Sequence, residues 1–197
     1  TSPLKIGVAI SLTGDSAEFA FQIAPRGRRS IFVEIGAEPS EPSRERFRAA
    51  AARARFAMRS KRRKGATLQS SGRVFNDWLV RARSDIALLT TDLETGPYPY
   101  AGIPWFSTAF GRDGVISALQ MLWLDPSLAR GVLTFLARHQ ATETAPFSDS
   151  EPGKIMHETR KGEMAVLQEL PFGRYYGGVD TTPLYIYLAT SYAQRMG

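Results

Sequence analysis

Apolar and polar residues alternate in three early stretches of the chain, residues 4–12, 17–24 and 29–36. Alternation with a period of two, bounded by turns that contain glycine, aspartate or proline, is typical of β-strands that bury one face. The pattern therefore predicts three consecutive antiparallel strands joined as a meander. Because three strands alone bury little surface, we expect them to belong to the end of a larger β domain.

From residue 44 onwards, apolar residues recur every three or four positions, which is the spacing of one helix face. Local capping signals accompany two helix starts, because Ser43 can cap the first helix and Asp125 precedes a first-turn proline in the fourth. From about residue 70 the chain is all helix and loop, which predicts a stack or ring of αα-hairpins. Helices are predicted over residues 44–60, 71–89, 113–124 and 126–140, with a last helix that opens at Asp180.

Each predicted helix has an apolar face. The first helix carries a narrow stripe made of Phe47, Ala50, Ala51, Ala54 and Met58. The face of the second helix consists of Phe75, Trp78, Leu79, Ala82, Ile86 and Leu89. The third helix presents Val115, Ile116, Leu119, Leu122 and Trp123, and the fourth presents Leu128, Val132, Phe135 and Leu136.

Two long loops combine helix-breaking residues with aromatic side chains. Between residues 96 and 110, Pro97, Pro99 and Pro104 remove backbone donors, so we expect a loop that contains neither a helix nor a central strand. The aromatic residues of this loop are Tyr98, Tyr100, Trp105, Phe106 and Phe110. A second aromatic loop, residues 171–180, precedes the last helix. Such loops are not solvated linkers, so each must pack against protein or against a ligand.

Arg112 and Asp113 stand where the first aromatic loop meets the third predicted helix. A guanidinium and a carboxylate beside aromatic side chains suit a polyhydroxylated ligand such as a sugar. Adjacent sugar hydroxyls can hydrogen-bond to the two charged groups, and the C–H face of the sugar can pack on an aromatic ring. The alternative is structural, with Asp113 as an N-cap and Arg112 paired with a surface carboxylate. The local pattern leaves both interpretations open.

The composition excludes several classes of function. The 197 residues include no cysteine and two histidines, so the chain has no thiolate nucleophile and no metal-ligand set, and we expect no cofactor. No apolar run reaches the roughly 18 residues of a membrane span, and no signal peptide is visible. We therefore expect a cytoplasmic protein without a membrane partner, since a chain without cysteine fits a reducing compartment.

The net charge of +6 is concentrated in one segment. Between Arg44 and Lys64 there are ten basic residues and one acid, Glu45. A basic helix can contact phosphates, but the chain carries no recognised nucleic-acid-binding motif. Arginine-rich exposed faces are common on the connecting helices of basic proteins, so nucleic acid is not expected as a partner.

Three long motifs give the chain a resemblance to a known family. They are YPYAGIPWFSTAFGRDG at residues 98–114, EPGKIMHETRKGEM at 151–164 and PFGRYYGGVDTTPL at 171–184. In this order and spacing they resemble the bacterial glycogen-debranching proteins of the amylo-α-1,6-glucosidase type, which are related to glucoamylases.

The resemblance implies a fold and a division into domains. The chain would be mostly α, the first part of an (α/α)6 toroid of αα-hairpins, preceded by the end of an antiparallel β domain. Residues 1–40 would be the end of a β-sandwich-like domain. Residues 41–69 would form a basic linker helix, and residues 70–197 would form the first half of the glycosidase domain.

The resemblance also implies roles for particular residues. Arg112 and Asp113 would hold the hydroxyls of the non-reducing glucose of an α-glucan or oligosaccharide, with Trp105 and Phe106 in the pocket wall. The same mouth would be lined by His157, Glu158, Tyr176 and Asp180, together with Arg160 and Tyr175. A structural alternative remains for two of them, in which Asp180 neighbours a helix N-cap and His157 donates a hydrogen bond within its loop.

The implied reaction is hydrolysis of α-1,6-glucosidic branch linkages with inversion. An inverting glycosidase uses an acid and a base roughly 6.5–9.5 Å apart. The family's acid and base are expected beyond Gly197, and Glu158 is the candidate within the chain. On this interpretation the chain is an incomplete catalytic domain, and we expect no hydrolase activity from it alone.

Three other interpretations stay open. One is a carbohydrate-binding half-barrel without catalysis. A second is a related α-glucosidase or trehalase-like enzyme, which shares the fold but cleaves another bond. A third, of a different class, is a basic nucleic-acid-binding protein.

Overall fold

The computed structural model describes residues 4–6, 11–13, 16–36 and 40–197, and the chain divides into two compact units, Thr1–Arg59 and Ser60–Gly197. The helices are α1 (Arg44–Arg62), α2 (Arg73–Leu89), α3 (Gly111–Met121), α4 (Pro126–Arg138), α5 (Glu163–Val166) and α6 (Thr181–Met196). The strands are β1 (Leu4–Ile6), β2 (Ser11–Leu12), β3 (Ala17–Glu18), β4 (Val33–Ile35), β5 (Thr90–Leu93) and β6 (Gly96–Pro99), and two short 3-10 helices span Pro146–Ser148 and Pro171–Gly173. The predominantly helical class that the sequence predicts is confirmed.

Strand pairing in the first unit is nested. β1 pairs with β4, with Leu4 opposite Ile35, and β2 pairs with β3, both antiparallel. The predicted pairing of the first strand with the second is confirmed by β2 and β3, whereas the third predicted strand pairs with β1 and not with the second. The strands are also shorter than predicted, and residues 7–10 of the first predicted strand lie outside the described residues. Alternation extends a strand only where another layer covers its apolar side, and here Ile23 and Ile31 remain exposed.

α1 begins where the sequence predicts, because the Ser43 hydroxyl accepts a hydrogen bond from the Arg46 backbone N–H at 3.2 Å. None of the residues of α1, all of which are described, is buried, so its apolar stripe lies outside the core. Within the first unit, Phe47 lies 5.7 Å from Phe32 between ring centroids, and Arg46 donates to both oxygens of Glu34 at 2.7 and 2.9 Å. The alanines of the stripe offer too little apolar area to draw in a covering layer.

The core of the second unit lies between α3, α4, α6 and the β5–β6 hairpin. Its largest fully buried apolar side chains are Tyr98, Val115, Val132, Leu136, Ile155, Met156 and Leu188. The start of α4 is confirmed in detail, because Asp125 Oδ1 accepts from the Ser127 backbone N–H at 3.1 Å and Pro126 occupies the first turn. This local cap fixes the residue at which the helix begins.

The segment that the sequence predicts as loop begins instead as a strand. β6 pairs antiparallel with β5, and Pro97 and Pro99 lie opposite Asp92 and Thr90. Prolines are tolerated in this two-stranded hairpin because an edge strand does not need every backbone N–H for pairing. The hairpin places Tyr98 in the core. The loop of residues 100–110 then connects β6 to the start of α3.

The predicted faces of α2 and α3 are only partly buried. Within α2, all of which is described, the one buried residue is Ala87, whereas Phe75 and Trp78 are exposed and stack with ring centroids 5.6 Å apart. In α3 the predicted face buries Val115, but Trp123 lies beyond the helix end and is exposed. Helical spacing identifies an apolar side, but it does not supply the element that covers it.

The contact between α4 and β6 predicts that alanine is less stable than glycine at position 131, the reverse of the usual order inside a helix. A Cβ at Gly131 would meet the Pro97 carbonyl oxygen at 2.1 Å. Alanine is normally better than glycine inside a helix by about 1 kcal/mol. Here we expect Gly131→Ala to destabilise the protein by about 1–3 kcal/mol, because backbone must move. The measurement is the free energy of unfolding in urea.

The matched control is Gly162→Ala, since a Cβ there meets nothing within 4 Å. We expect its free energy of unfolding to stay within about 0.5 kcal/mol of the original chain. Equal stability of the Gly131→Ala variant would contradict the packing described between α4 and β6.

Tyr98 predicts how stability changes at high pH. Its hydroxyl donates to the Phe110 carbonyl at 2.8 Å, and burial, with a smaller contribution from the charge of Asp113, raises the pKa of Tyr98 well above its usual value. The folded state therefore keeps this proton after the unfolded chain loses it. The resulting stability is fully present below about pH 10 and falls as pH rises, by about 1.4 kcal/mol per pH unit.

In Tyr98→Phe we expect lower stability at neutral pH, by about 1–2 kcal/mol, because a buried carbonyl loses its donor. Above pH 10 its stability should fall less steeply than that of the original chain. Urea unfolding at a series of pH values measures both effects. Parallel curves for the two proteins would show that Tyr98 does not cause the alkaline loss.

Candidate functional site

α3 begins at Gly111, so Arg112 and Asp113 lie in its first turn. The residue before the helix is Phe110, whose side chain makes no capping hydrogen bond. The interpretation of Asp113 as the N-cap is therefore wrong. The cap comes from a distant segment instead, because the Gly111 backbone N–H donates to the His157 carbonyl at 2.7 Å. A carboxylate in the first turn still interacts favourably with the positive end of the helix.

Glycine is required at position 111 because two other segments touch the start of α3. A Cβ on Gly111 would meet the Met156 carbonyl oxygen at 2.1 Å and the Thr181 side chain at 2.6 Å. Thr181 is the first residue of α6. The starts of α3 and α6 and the segment 155–158 therefore meet at one place in the second unit.

An ion pair joins the two helix starts at their surface. Arg112 Nη1 lies 3.3 Å from Asp180 Oδ2, and both side chains are partly exposed. The structural alternative for Arg112, a surface carboxylate partner, is confirmed. An exposed pair of this kind contributes at most about 1 kcal/mol, and a guanidinium has five donors, so Arg112 retains the capacity to bind a ligand.

A cavity of about 190 Å³ lies beside this pair. Arg112 and Asp113 line it together with Tyr100 and Ile116, whereas Trp105 and Phe106 do not. Tyr100 is not among the site residues that the sequence predicts. The sequence contains a signal for it, because Tyr100 is the last aromatic residue of the YPY run at residues 98–100.

Glu158 forms the centre of a second cluster and is only 8% exposed. Its main chain makes antiparallel bridges with Phe110 and Tyr175, and its carboxylate accepts a short hydrogen bond from Arg160 Nε. Arg160 also donates from Nη1 to the Trp105 carbonyl oxygen at 2.6 Å. The Glu158 carboxylate is thus engaged in holding Arg160, which fits a structural ion pair better than a proton donor that faces a substrate.

Aromatic rings enclose Arg160. Its guanidinium carbon lies 5.6 Å from the centre of the Phe106 ring and 5.4 Å from that of Phe110, within cation–π distance. Trp105, whose carbonyl oxygen Arg160 binds, leaves its indole 78% exposed. Arg160 therefore fixes the backbone of this loop while the Trp105 ring faces solvent.

His157 lies against the start of α6. Its Nδ1 is 3.4 Å from Thr181 Oγ1, and its ring lies edge to face with Phe110 at 6.1 Å. The glycine loop packs directly on the imidazole, because a Cβ at Gly178 would meet His157 Nδ1 at 2.7 Å. These contacts surround His157 with protein groups.

The two tyrosines of the third motif bond to protein groups. The Tyr175 hydroxyl donates to Asp149 Oδ2 at 2.9 Å, and this hydrogen bond raises the pKa of Tyr175. Tyr176 is buried, its hydroxyl donates to the His139 carbonyl at 2.8 Å, and burial raises the pKa of Tyr176. Tyr176 therefore belongs to the core.

Most of the predicted site residues fall into two groups, and both groups lie near the start of α3. Arg112, Asp113 and Asp180 surround the two helix starts, whereas Trp105, Phe106 and Glu158 gather around Arg160. Across the described ranges, no three histidine, cysteine, aspartate or glutamate side chains come together as metal ligands would. No helix within those ranges is both long and apolar enough to cross a membrane.

Comparison with known protein families and with curated proteins gave no match for this chain.

The Arg160 cluster predicts an unequal effect of two arginine substitutions. Arg160→Ala leaves the buried Glu158 carboxylate without its partner. We expect a loss of about 2–3 kcal/mol, below the 3–5 kcal/mol of fully buried pairs because Arg160 is partly exposed. The matched control is Arg81→Ala, whose pair with Asp85 at 3.1 Å is exposed and should contribute less than about 0.5 kcal/mol.

Chemical unfolding of both variants in urea measures the difference. A loss for Arg160→Ala no larger than that for Arg81→Ala would contradict the role of Arg160 described above. A further variant, Glu158→Gln combined with Arg160→Ala, should regain part of the stability because it removes the unpaired charge.

Proposed function

We propose that the second unit belongs to a glycoside hydrolase of the glycogen-debranching type, which acts on α-1,6-glucosidic branch linkages with inversion. Its helices would be the first part of an (α/α)6 toroid. The observation that supports this proposal is the cavity of about 190 Å³ at the start of α3, which Arg112 and Asp113 line together with Tyr100. The guanidinium of Arg112 and the carboxylate of Asp113 at the start of α3 suit a sugar, because each can form two hydrogen bonds to a pair of neighbouring hydroxyls.

The size and lining of the cavity suit one sugar ring. Drug-sized ligands occupy pockets of roughly 300–1,000 Å³, so about 190 Å³ is room for a single ring rather than a chain. Arg112 would donate to ring hydroxyls and Asp113 would accept from them. Tyr100 would supply an apolar face for the C–H side of the ring.

The proposal gives Arg112 and Asp113 a role in binding only. Inverting hydrolysis needs an acid that protonates the leaving oxygen and a base that activates water from the opposite side. Glu158, the candidate acid, accepts its hydrogen bond from Arg160 and is buried. In our proposal Glu158 is therefore a structural residue that holds the loop of Trp105.

A second candidate function follows from this geometry. If Glu158 is structural, the described residues would bind an α-glucan without cleaving it, as a carbohydrate-binding half-barrel does. Glucose release distinguishes the two candidates, since both predict binding and only the first predicts hydrolysis by the complete enzyme.

The experiment is titration of the chain with an α-1,6-branched maltooligosaccharide by isothermal calorimetry, with cellobiose as the β-linked comparison. We expect binding of the α-linked sugar. Arg112→Gln and Asp113→Asn should each weaken it at least about tenfold, because a charge-assisted hydrogen bond is lost. The matched control is Arg130→Gln, an exposed arginine on α4 that does not line the cavity.

Loss of affinity in the Arg112 and Asp113 variants alone would support the proposed site. A folded chain that binds no α-glucan, or one whose affinity falls equally in Arg130→Gln, would overturn it. Circular dichroism of each variant confirms that the comparison is made between folded proteins.

A further inference from the structure

Four arginines of α1 form a row along one side of the helix, and we call Arg44, Arg48, Arg55 and Arg59 the arginine row. An α-helix turns by about 100° per residue, so these four positions fall within roughly 60° of its circumference. With a rise of about 1.5 Å per residue, the row extends over about 22 Å. All four residues belong to the first unit and are exposed.

No acidic side chain of the described ranges forms a salt bridge with a member of the arginine row. The hydrogen bond described for Arg55 runs from Nε to the Ala51 carbonyl at 3.1 Å, within the same helix. In contrast, Arg46 on another side of α1 binds Glu34 at 2.7 Å. The charge of the row is therefore not neutralised by a described salt bridge, whereas the charge of Arg46 is paired with Glu34 within the first unit.

Repulsion within the arginine row is unfavourable for α1. Arg44 and Arg48 are four residues apart, as are Arg55 and Arg59, and each like-charged pair at this spacing is unfavourable by about 0.2–0.5 kcal/mol. No residue of α1 is buried. A binding partner with evenly spaced negative charges would convert this repulsion into attraction.

An exposed aromatic ring lies next to the row. Phe56 is 76% exposed and lies three residues before Arg59 in α1, the spacing at which helical side chains are neighbours. Cationic side chains that follow a phosphate backbone, combined with an aromatic ring that stacks on bases, are the features by which proteins bind single-stranded nucleic acids. Phe47, by comparison, packs on Phe32 at 5.7 Å.

We propose that α1 is a binding surface for single-stranded nucleic acid, with the arginine row on the phosphates and Phe56 on a base. The sequence favours an ordinary connecting helix with an exposed basic face and keeps nucleic-acid binding as an alternative, so this inference takes up that alternative. The surface lies in the first unit and does not depend on the sugar site proposed above.

The composition of α1 argues against a membrane surface as the partner. A helix that lies on a bilayer inserts a broad face of large apolar residues such as Trp, Phe and Leu. The apolar stripe of α1 is mainly alanine, and its one aromatic residue, Phe47, already contacts Phe32. The charge is therefore the feature of α1 that a partner must match.

The test is fluorescence anisotropy of the full chain with a short labelled poly-dT, measured at several salt concentrations. We expect binding that weakens with salt, because bound phosphates release counterions. Arg48→Gln should reduce the slope of log K against log salt by about 0.7, the value for one phosphate of a single strand. The matched control is Arg53→Gln, which makes the same charge change on another side of α1 and should leave the slope unchanged.

Phe56→Leu tests the stacking part of the proposal. Loss of a base–aromatic contact should weaken binding at least about fivefold without changing the salt slope. Circular dichroism verifies that α1 remains helical in each variant. Affinity that falls in Arg48→Gln and Phe56→Leu, but not in Arg53→Gln, would support the proposal.

Other outcomes would overturn it. Equal effects of Arg48→Gln and Arg53→Gln would mean that net charge, rather than the row, attracts the oligonucleotide. Binding to anionic phospholipid vesicles without binding to poly-dT would identify a membrane surface. Tighter binding to duplex DNA, with no effect of Phe56→Leu, would exclude the single-stranded mode.

Discussion

The candidate site depends on a backbone contact that leaves no room for a side chain. Gly111 donates to the His157 carbonyl at 2.7 Å, and a Cβ there would meet the Met156 carbonyl oxygen at 2.1 Å. This contact sets the first residue of α3, so it also sets the direction in which Arg112 and Asp113 leave the helix. It holds Glu158 beside Phe110, where Arg160 can reach the preceding loop. Both groups of candidate residues therefore derive their positions from one close approach of two chain segments.

How far the sequence predicts the structure depends on how local each interaction is. The start of α4 is encoded within three consecutive residues, Asp125 to Ser127, and the prediction is confirmed to the residue. The start of α3 is set by His157, which is distant in sequence, and the prediction misses it by two residues. The apolar sides of α1 and α2 remain largely uncovered, and this does not follow from the sequence because periodicity does not reveal whether another element packs on them. The roles of Arg112 and Asp113 in sugar binding remain a prediction.

Arginine serves three different purposes in this chain, and the surroundings rather than the residue type decide which. Arg160 is enclosed by two aromatic rings and bound to Glu158, so its charge is used inside the protein. Arg112 shares an exposed pair with Asp180 and keeps donors available. The arginine row of α1 faces solvent without such pairs, so its charge is directed outward. A count of basic residues does not separate these cases, whereas their described contacts do.

The distant cap of α3 has a consequence for the order in which structure can form during synthesis. α4 carries its own N-cap two residues away, so its start is defined as soon as its first turn has left the ribosome. α3 precedes α4 in the chain, but its partner His157 is held in turn by a hydrogen bond to Tyr175. The complete set of contacts that defines the first residue of α3 can therefore exist only after Tyr175 has been synthesised, although α3 precedes α4 in the chain.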